Sequence, residues 1–114
     1  MTTTGTGQQA EAAVAAYLTT LGYKIVDKNW RTKVCEIDLI AKKQQVIYFI
    51  EVKFRSSATQ GAGWEYIGPQ KLKKLKFAAS VWAHDHNYNG DYSILAAEVS
   101  GAGQGAINIV EIVD

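Results

Sequence analysis

The chain has one cysteine, Cys35, and one proline, Pro69. A lone thiol excludes an internal disulfide, and a reducing, cytoplasmic setting is the expectation. Cys35 itself is expected to be a small buried strand residue. No apolar run reaches the roughly 18 residues that a membrane-spanning helix needs. The leader Met1-Thr2-Thr3-Thr4-Gly5 lacks a basic stretch followed by an apolar core, so no secretory signal is expected there. Charge of one sign is also scarce. The net charge of +1 identifies no partner by itself. The sequence has no nucleophile elbow and no internal repeat. The glycine-rich run Gly101-Ala102-Gly103-Gln104-Gly105 does not precede a helix, which excludes a phosphate loop or a dinucleotide fingerprint.

What is present suits one folded domain over residues 1–114. That length is enough for one core and too short for two. A hydrophobic fraction of 47% with three tryptophans supports a packed interior rather than disorder.

Gln8 to Leu21 is rich in alanine and other helix formers after a frayed polar lead, and Gly22 fits a left-handed stop. Its apolar stripe is Ala10, Val14, Tyr17, Leu18 and Leu21, with Glu11 at the edge of that stripe. An acid in the first turn is favoured by the helix dipole, and a catalytic role for Glu11 stands beside that structural one. Tyr23 to Arg31 reads as a first strand. Arg31 suits either a phosphate or a surface ion pair.

Val34 to Lys42 and Val46 to Arg55 form a predicted hairpin around Gln44-Gln45. The second strand is almost continuously apolar through Ile50, as a central strand covered on both faces would be. With a two-residue loop, Lys43 pairs with Val46, Asp38 falls opposite Glu51, and Glu36 falls opposite Lys53. Opposed side chains share a face, with Cβ atoms roughly 5 Å apart. Two carboxylates that close repel unless a cation lies between them or one holds a proton. A hard divalent cation is one solution. A solvated face of an antiparallel sheet is the other reading of the same charges.

Ser56 to Gly68 has no periodicity and contains Trp64 and Tyr66, which suit either base stacking or anchoring of the loop. Pro69 opens a second helix with the stripe Leu72, Leu75, Ala79 and Trp82. Lys71, Lys73, Lys74 and Lys76 crowd its first two turns. With Lys53 and Arg55 they make six cations between positions 53 and 76, against Glu65 alone. Phosphate contacts and a solvated helix face both explain such a run, and cations at a helix start oppose the dipole. His84-Asp85-His86 sits at the helix end and is read as dipole-compatible rather than as a zinc site. Tyr92 to Val99 and Ala106 to Val113 complete the order α-β-β-β-α-β-β.

Asp38, then Glu51-Val52-Lys53 after an apolar run, with Glu11 in a preceding helix, resembles the PD-(D/E)xK nuclease superfamily. Gln9-Ala10-Glu11, Tyr17-Leu18, Gly22-Tyr23, Asn29-Trp30-Arg31, Glu36-Ile37-Asp38-Leu39-Ile40-Ala41 and Glu51-Val52-Lys53-Phe54-Arg55-Ser56-Ser57 are similar to the bacterial YraN-like family, whose fold is like that of archaeal Holliday-junction resolvases. The likeness weakens after Asn87, and Ser93 stands where the family tends to carry aspartate. The resemblance implies an α/β restriction-endonuclease-like core, a mixed five-stranded sheet flanked by helices. It implies hydrolysis of phosphodiester bonds in DNA, with branched or structured DNA as a candidate substrate and a homodimer as a candidate assembly. A nucleic-acid-binding module without catalysis is the alternative. Asp38, Glu51 and the Val52 carbonyl would hold Mg²⁺ or Mn²⁺, Lys53 would act on the attacking water, and Glu11 on a second metal or an ordered water. Arg31, Arg55, Gln70, Lys71 and Lys74 would contact nucleic acid.

Overall fold

Val46–Arg55 is the strand around which the chain is built, and Phe49 and Ile50, adjacent and on opposite faces, are both fully buried. That double burial is the physical meaning of its unbroken apolar run. The computed structural model describes residues 3–55, 67–100 and 106–112. In chain order the elements are α1 (Thr3–Thr20), β1 (Lys24–Arg31), β2 (Glu36–Lys43), β3 (Val46–Arg55), α2 (Pro69–Asp85), β4 (Tyr92–Ser100) and β5 (Ala106–Ile112).

The five strands form one mixed sheet in the order β1-β2-β3-β4-β5. Neighbours are antiparallel except β3 and β4, which are parallel and joined through α2. The β2–β3 hairpin pairs Lys43 with Val46, as the two-residue loop requires. Gln44 and Gln45 have φ of 51° and 72°. Two left-handed residues in succession give the mirror-image turn whose twist suits a hairpin. Glutamine adopts that conformation without the ease of asparagine or glycine.

The helices cover opposite faces. On one face Ala10, Val14, Ala15 and Leu18 of α1 pack with Leu39, Ala41, Ile50, Leu95 and Ala97. On the other, Leu75, Ala78, Ala79, Trp82 and Ala83 of α2 pack with Ile40, Ile47, Phe49 and Ile94. Each large side chain so buried contributes about 1.5–3 kcal/mol of transfer free energy. Gly22, at φ 97°, closes α1: its N–H donates to the Thr19 carbonyl, and that of Tyr23 to Leu18. Pro69 takes the first turn of α2.

Several expectations need correction. α1 begins at Thr3 rather than Gln8, so the supposed polar lead is helical and Glu11 lies two turns inside the helix. The dipole account of Glu11 is thereby removed, because the dipole acts within the first turn. Tyr17 and Leu21 are exposed, and Ala15 takes a place in the stripe instead. Cys35 is only half-buried and precedes β2, in a turn where its N–H donates to the Thr32 hydroxyl. Trp64, Tyr66 and the Gly101–Gly105 run lie outside the described residues. No helix among the described residues is long and apolar enough to cross a membrane.

Candidate active site

Both ladders of β2 break at Asp38. The β2–β3 ladder ends at Leu39–Ile50, one residue short of Asp38 and Glu51. In the β1–β2 ladder Lys28 faces Leu39 and Trp30 faces Ile37, but the pair between them, Asn29 and Asp38, is missing. Asn29 has φ 50°, in the left-handed region. The break reorients both strands. Leu39 packs on the α1 side and Ile37, two residues away, on the α2 side, although a regular strand would put them on one face.

Where β2 leaves β3, the Asp38 carboxylate takes over a main-chain role. The Val52 N–H donates to Asp38 Oδ2 at 2.8 Å. The expected opposition of Glu36 and Lys53 is absent, because no ladder continues that far; Glu36 instead pairs with Arg31 at 3.5 Å. Arg31 is thus held in a surface ion pair.

Glu51 is the single buried charged residue among those described, at 6% exposure. Burying a carboxylate is unfavourable by several kcal/mol unless it is compensated. Here Glu51 Oε2 lies 3.5 Å from Lys53 Nζ and 3.4 Å from Lys71 Nζ. The lysine two residues along the strand shares the α2 face of the sheet, and α2 supplies the other ammonium from its first turn. This geometry accounts for a cation at a helix start, where the dipole alone would oppose it.

Asp38 has the opposite electrostatic setting. Burial, the largest cause, pushes its carboxyl from 3.8 up to about 7. The Val52 N–H works against this, while the charges of Glu51, Glu11 and Glu36 add to it. Those influences come from acids on α1, β2 and β3, each smaller than the effect of burial. Lys74 is exposed, and its charge acts with those of Lys71, Glu51 and Asp38 on the Cys35 thiol, whose own titration burial pushes up. Gln70 is exposed on the first turn of α2. Arg55 ends β3 opposite Ser100, and its side chain lies outside the described residues.

Asn29 was not among the residues singled out as functional. Its Nδ2 donates to Glu11 Oε1 at 3.0 Å, tying α1 to the strand at the level of Asp38. The available signal was an asparagine inside a strand, a residue that strands disfavour and that tolerates positive φ. Ser93 lies away from this centre: it pairs with Tyr48 and donates to Glu111 at 2.6 Å, whereas Ala96 is level with Glu51. His86 donates from Nδ1 to the Trp82 carbonyl at 2.9 Å and stacks on that indole, a structural role at the helix end.

The donor set of Asp38, Glu51 and the Val52 carbonyl is all oxygen, which suits a hard divalent cation. Among the described residues no three His, Cys, Asp or Glu side chains stand together as a ready-made cage. Magnesium does not need one, since it commonly takes one or two carboxylates and fills the rest with water and phosphate oxygens.

Residues 10–112 match the model of a family described as uncharacterised protein family UPF0102, a span that takes in Glu11, Asp38, Glu51 and Lys53. The chain is similar to a UPF0102 protein of Vibrio vulnificus strain YJ016, 41% identical over 83 residues, covering 73% of this chain and 68% of that protein. It is similar to one from Arthrobacter strain FB24, 37% identical over 101 residues and 86% of each chain. A Sulfurihydrogenibium relative is 38% identical over 90 residues, 79% of this chain and 78% of its own.

Proposed function

We propose that this chain, which belongs to the UPF0102 family, is a metal-dependent endonuclease of the PD-(D/E)xK type that hydrolyses phosphodiester bonds in DNA. One observation carries the reading: where β2 parts from β3, Asp38 accepts from the N–H of Val52, the residue after Glu51, and Lys53 and Lys71 already lie on Glu51. A sheet built only for stability has little reason to bury one carboxylate there and to raise the titration of a second at the same break.

Asp38, Glu51 and the Val52 carbonyl would hold Mg²⁺ or Mn²⁺, which supplies a more acidic bound water and positive charge for the phosphoryl oxygens. The chain's own residues do the rest. Lys53 holds the attacking water beside Glu51 and stabilises negative charge growing on the phosphate oxygens. Lys71 reaches the same carboxylate from α2 and turns to the incoming phosphate. Glu11, fixed by Asn29, would hold an ordered water or a second cation. Arg31, Arg55, Gln70 and Lys74 would contact the nucleic-acid strand on either side of the bond.

A second reading, a nucleic-acid-binding module without catalysis, draws on the same contacts. Two ammonium groups on Glu51 satisfy that carboxylate without any metal. The test is cleavage of supercoiled, branched and single-stranded DNA with Mg²⁺ or Mn²⁺, beside Asp38→Ala and Glu51→Ala. The nuclease predicts cleavage that both substitutions abolish, while salt-dependent binding persists. Binding without cleavage supports the module, and cleavage that survives both substitutions refutes the site.

A further inference from the structure

The buried carboxylate of Glu51 has two calls on it. It is a donor for the divalent cation proposed above, and its Oε2 already has Lys53 Nζ at 3.5 Å and Lys71 Nζ at 3.4 Å. Like charges gathered on one carboxylate repel, most strongly where water is excluded. With its side chain only 7% exposed, Glu51 has little water around it to screen them. An added cation and the two ammonium groups therefore compete for the same oxygens, and one ammonium has to give way.

The two lysines are not equally free to leave. Lys53 belongs to β3 itself, two residues along on the face of Glu51, and its side chain is 30% exposed. Lys71 reaches in from the first turn of α2 on a flexible four-carbon stem, with 40% of its side chain exposed. Its place is opposed twice: by the helix dipole, which disfavours a cation there, and by Lys74, a like charge three residues on. Glu51 is its one ion-pair partner among the described residues. Gln70, Lys73 and Lys74 beside it are exposed, so the turn that carries Lys71 is open to solvent and to a phosphate. A phosphate drawn to this turn takes Lys71 off Glu51 and relieves its repulsion with Lys74. The buried carboxylate then keeps Lys53 alone and has room for a second cation.

We propose that Lys71 is a latch on the metal site: in the free chain its ammonium occupies the Glu51 carboxylate, and nucleic-acid phosphate draws it off and opens that carboxylate to a divalent cation. Binding of the ion and of the nucleic acid then strengthen each other, by the same factor in either direction. In the free chain the ion binds only those molecules whose latch is open, which weakens its apparent affinity. This rests on the reading of the site as a metal and nucleic-acid centre, and adds to it the coupling of the two ligands.

The experiment uses the full chain and two readouts other than turnover. Mn²⁺ binding to the free protein is followed by the electron paramagnetic resonance of the unbound ion. DNA binding is followed by fluorescence anisotropy, with and without Mn²⁺, on a phosphorothioate duplex that keeps its charge and resists hydrolysis. Lys71→Met is expected to bind Mn²⁺ about threefold to fivefold more tightly than the natural chain, the worth of a partly exposed ion pair. Mn²⁺ should tighten DNA binding by the natural chain, and do so about threefold to fivefold less in Lys71→Met. Lys71→Arg keeps the charge and should behave as the natural chain does. Lys73→Met removes an exposed charge of the same helix and should leave Mn²⁺ affinity unchanged. Equal Mn²⁺ affinity in the natural chain and Lys71→Met overturns the latch. So does a gain that Lys73→Met reproduces, since that marks only the net charge of the helix. A Mn²⁺ effect on DNA binding that Lys71→Met leaves intact overturns it as well. Cleavage of ordinary DNA in Mn²⁺ separates the latch from the wider reading. Coupling without cleavage sinks the nuclease alone; cleavage that Asp38→Ala abolishes, with no change of Mn²⁺ affinity in Lys71→Met, sinks the latch alone.

Discussion

Replacing Asp38 with asparagine is expected to stabilise the protein at pH 8 and leave it nearly unchanged at pH 4. The folded chain holds the Asp38 proton up to about pH 7, against 3.8 for the unperturbed group. Folding therefore binds that proton more tightly than the unfolded chain does. The resulting stability is fully present below about 3.8 and is lost as the pH rises through about 7. At 1.36 kcal/mol per tenfold change in proton affinity, the gap is about 4 kcal/mol. Asp38 keeps some contact with solvent, and screening brings the working figure to about 2 kcal/mol. Asparagine keeps the essential geometry, because its side-chain oxygen still accepts the Val52 N–H, and it carries no charge to repel Glu51, Glu11 and Glu36.

A difference of about 2 kcal/mol raises Tm by roughly 8 °C in a domain of this size. Thermal unfolding of both proteins, followed by tryptophan fluorescence at several values between pH 4 and pH 8, reads it directly. Every other titrating group is common to the two chains and cancels in the difference. The gap should open between about pH 4 and pH 7, level off above that, and stay near zero at pH 4 and below. A gap that does not change with pH would refute the reasoning, for it would mean that Asp38 ionises as freely in the fold as outside it.

Magnesium at about 10 mM and pH 8 should stabilise the natural protein by about 1.4 kcal/mol for a Kd near 1 mM, and Asp38→Asn should lose that shift; calorimetry in the presence and absence of the ion checks both. Lys71→Met removes one of two cations from a buried carboxylate and should cost about 1 kcal/mol, since Lys71 is partly exposed. Much of that cost should vanish in a Glu51→Gln background, and a double-mutant cycle by urea unfolding measures the coupling. Changing Gln44-Gln45 to Asn-Gly should raise stability by about 0.5–1 kcal/mol with no effect on DNA affinity, because both positions already have positive φ. Gly22→Ala should lower it by about 1 kcal/mol, since alanine resists φ of 97°.

The order of elements was legible because it depends on period and punctuation. The apolar run of β3, the proline at the start of α2 and the glycine after α1 each act locally and leave a mark in the sequence. The hairpin register was legible too, since a two-residue loop admits one counting. What could not be read was where the ladders stop. Extrapolating the register put Glu36 opposite Lys53, but the β2–β3 ladder ends at Leu39 and Ile50, and Glu36 goes to Arg31. A strand's departure from its neighbour depends on what the twisted sheet and both helices can cover, which no short window contains. The start of α1 was misplaced for a related reason: a threonine and glycine lead has poor helix propensity, and tertiary context overrides it.

The two acids at the break are set apart by their surroundings. Both lie at the end of the β2–β3 ladder, yet one carries two ammonium groups and the titration of the other is raised chiefly by burial and then by the charges of Glu51, Glu11 and Glu36. A site evolved only to bury charge would distribute the lysines to neutralise both. Placing Lys53 and Lys71 on Glu51 leaves Asp38 without a paired cation among the described residues, and its carboxyl holds a proton up to about pH 7. The same break frees the Val52 N–H to be bonded by Asp38, and forces Asn29 into the conformation that grips Glu11. One interruption of a β-ladder thus arranges residues from α1, β1, β2 and β3. Repairing it would stabilise the sheet and dismantle the site, the trade expected where function is built on stored strain.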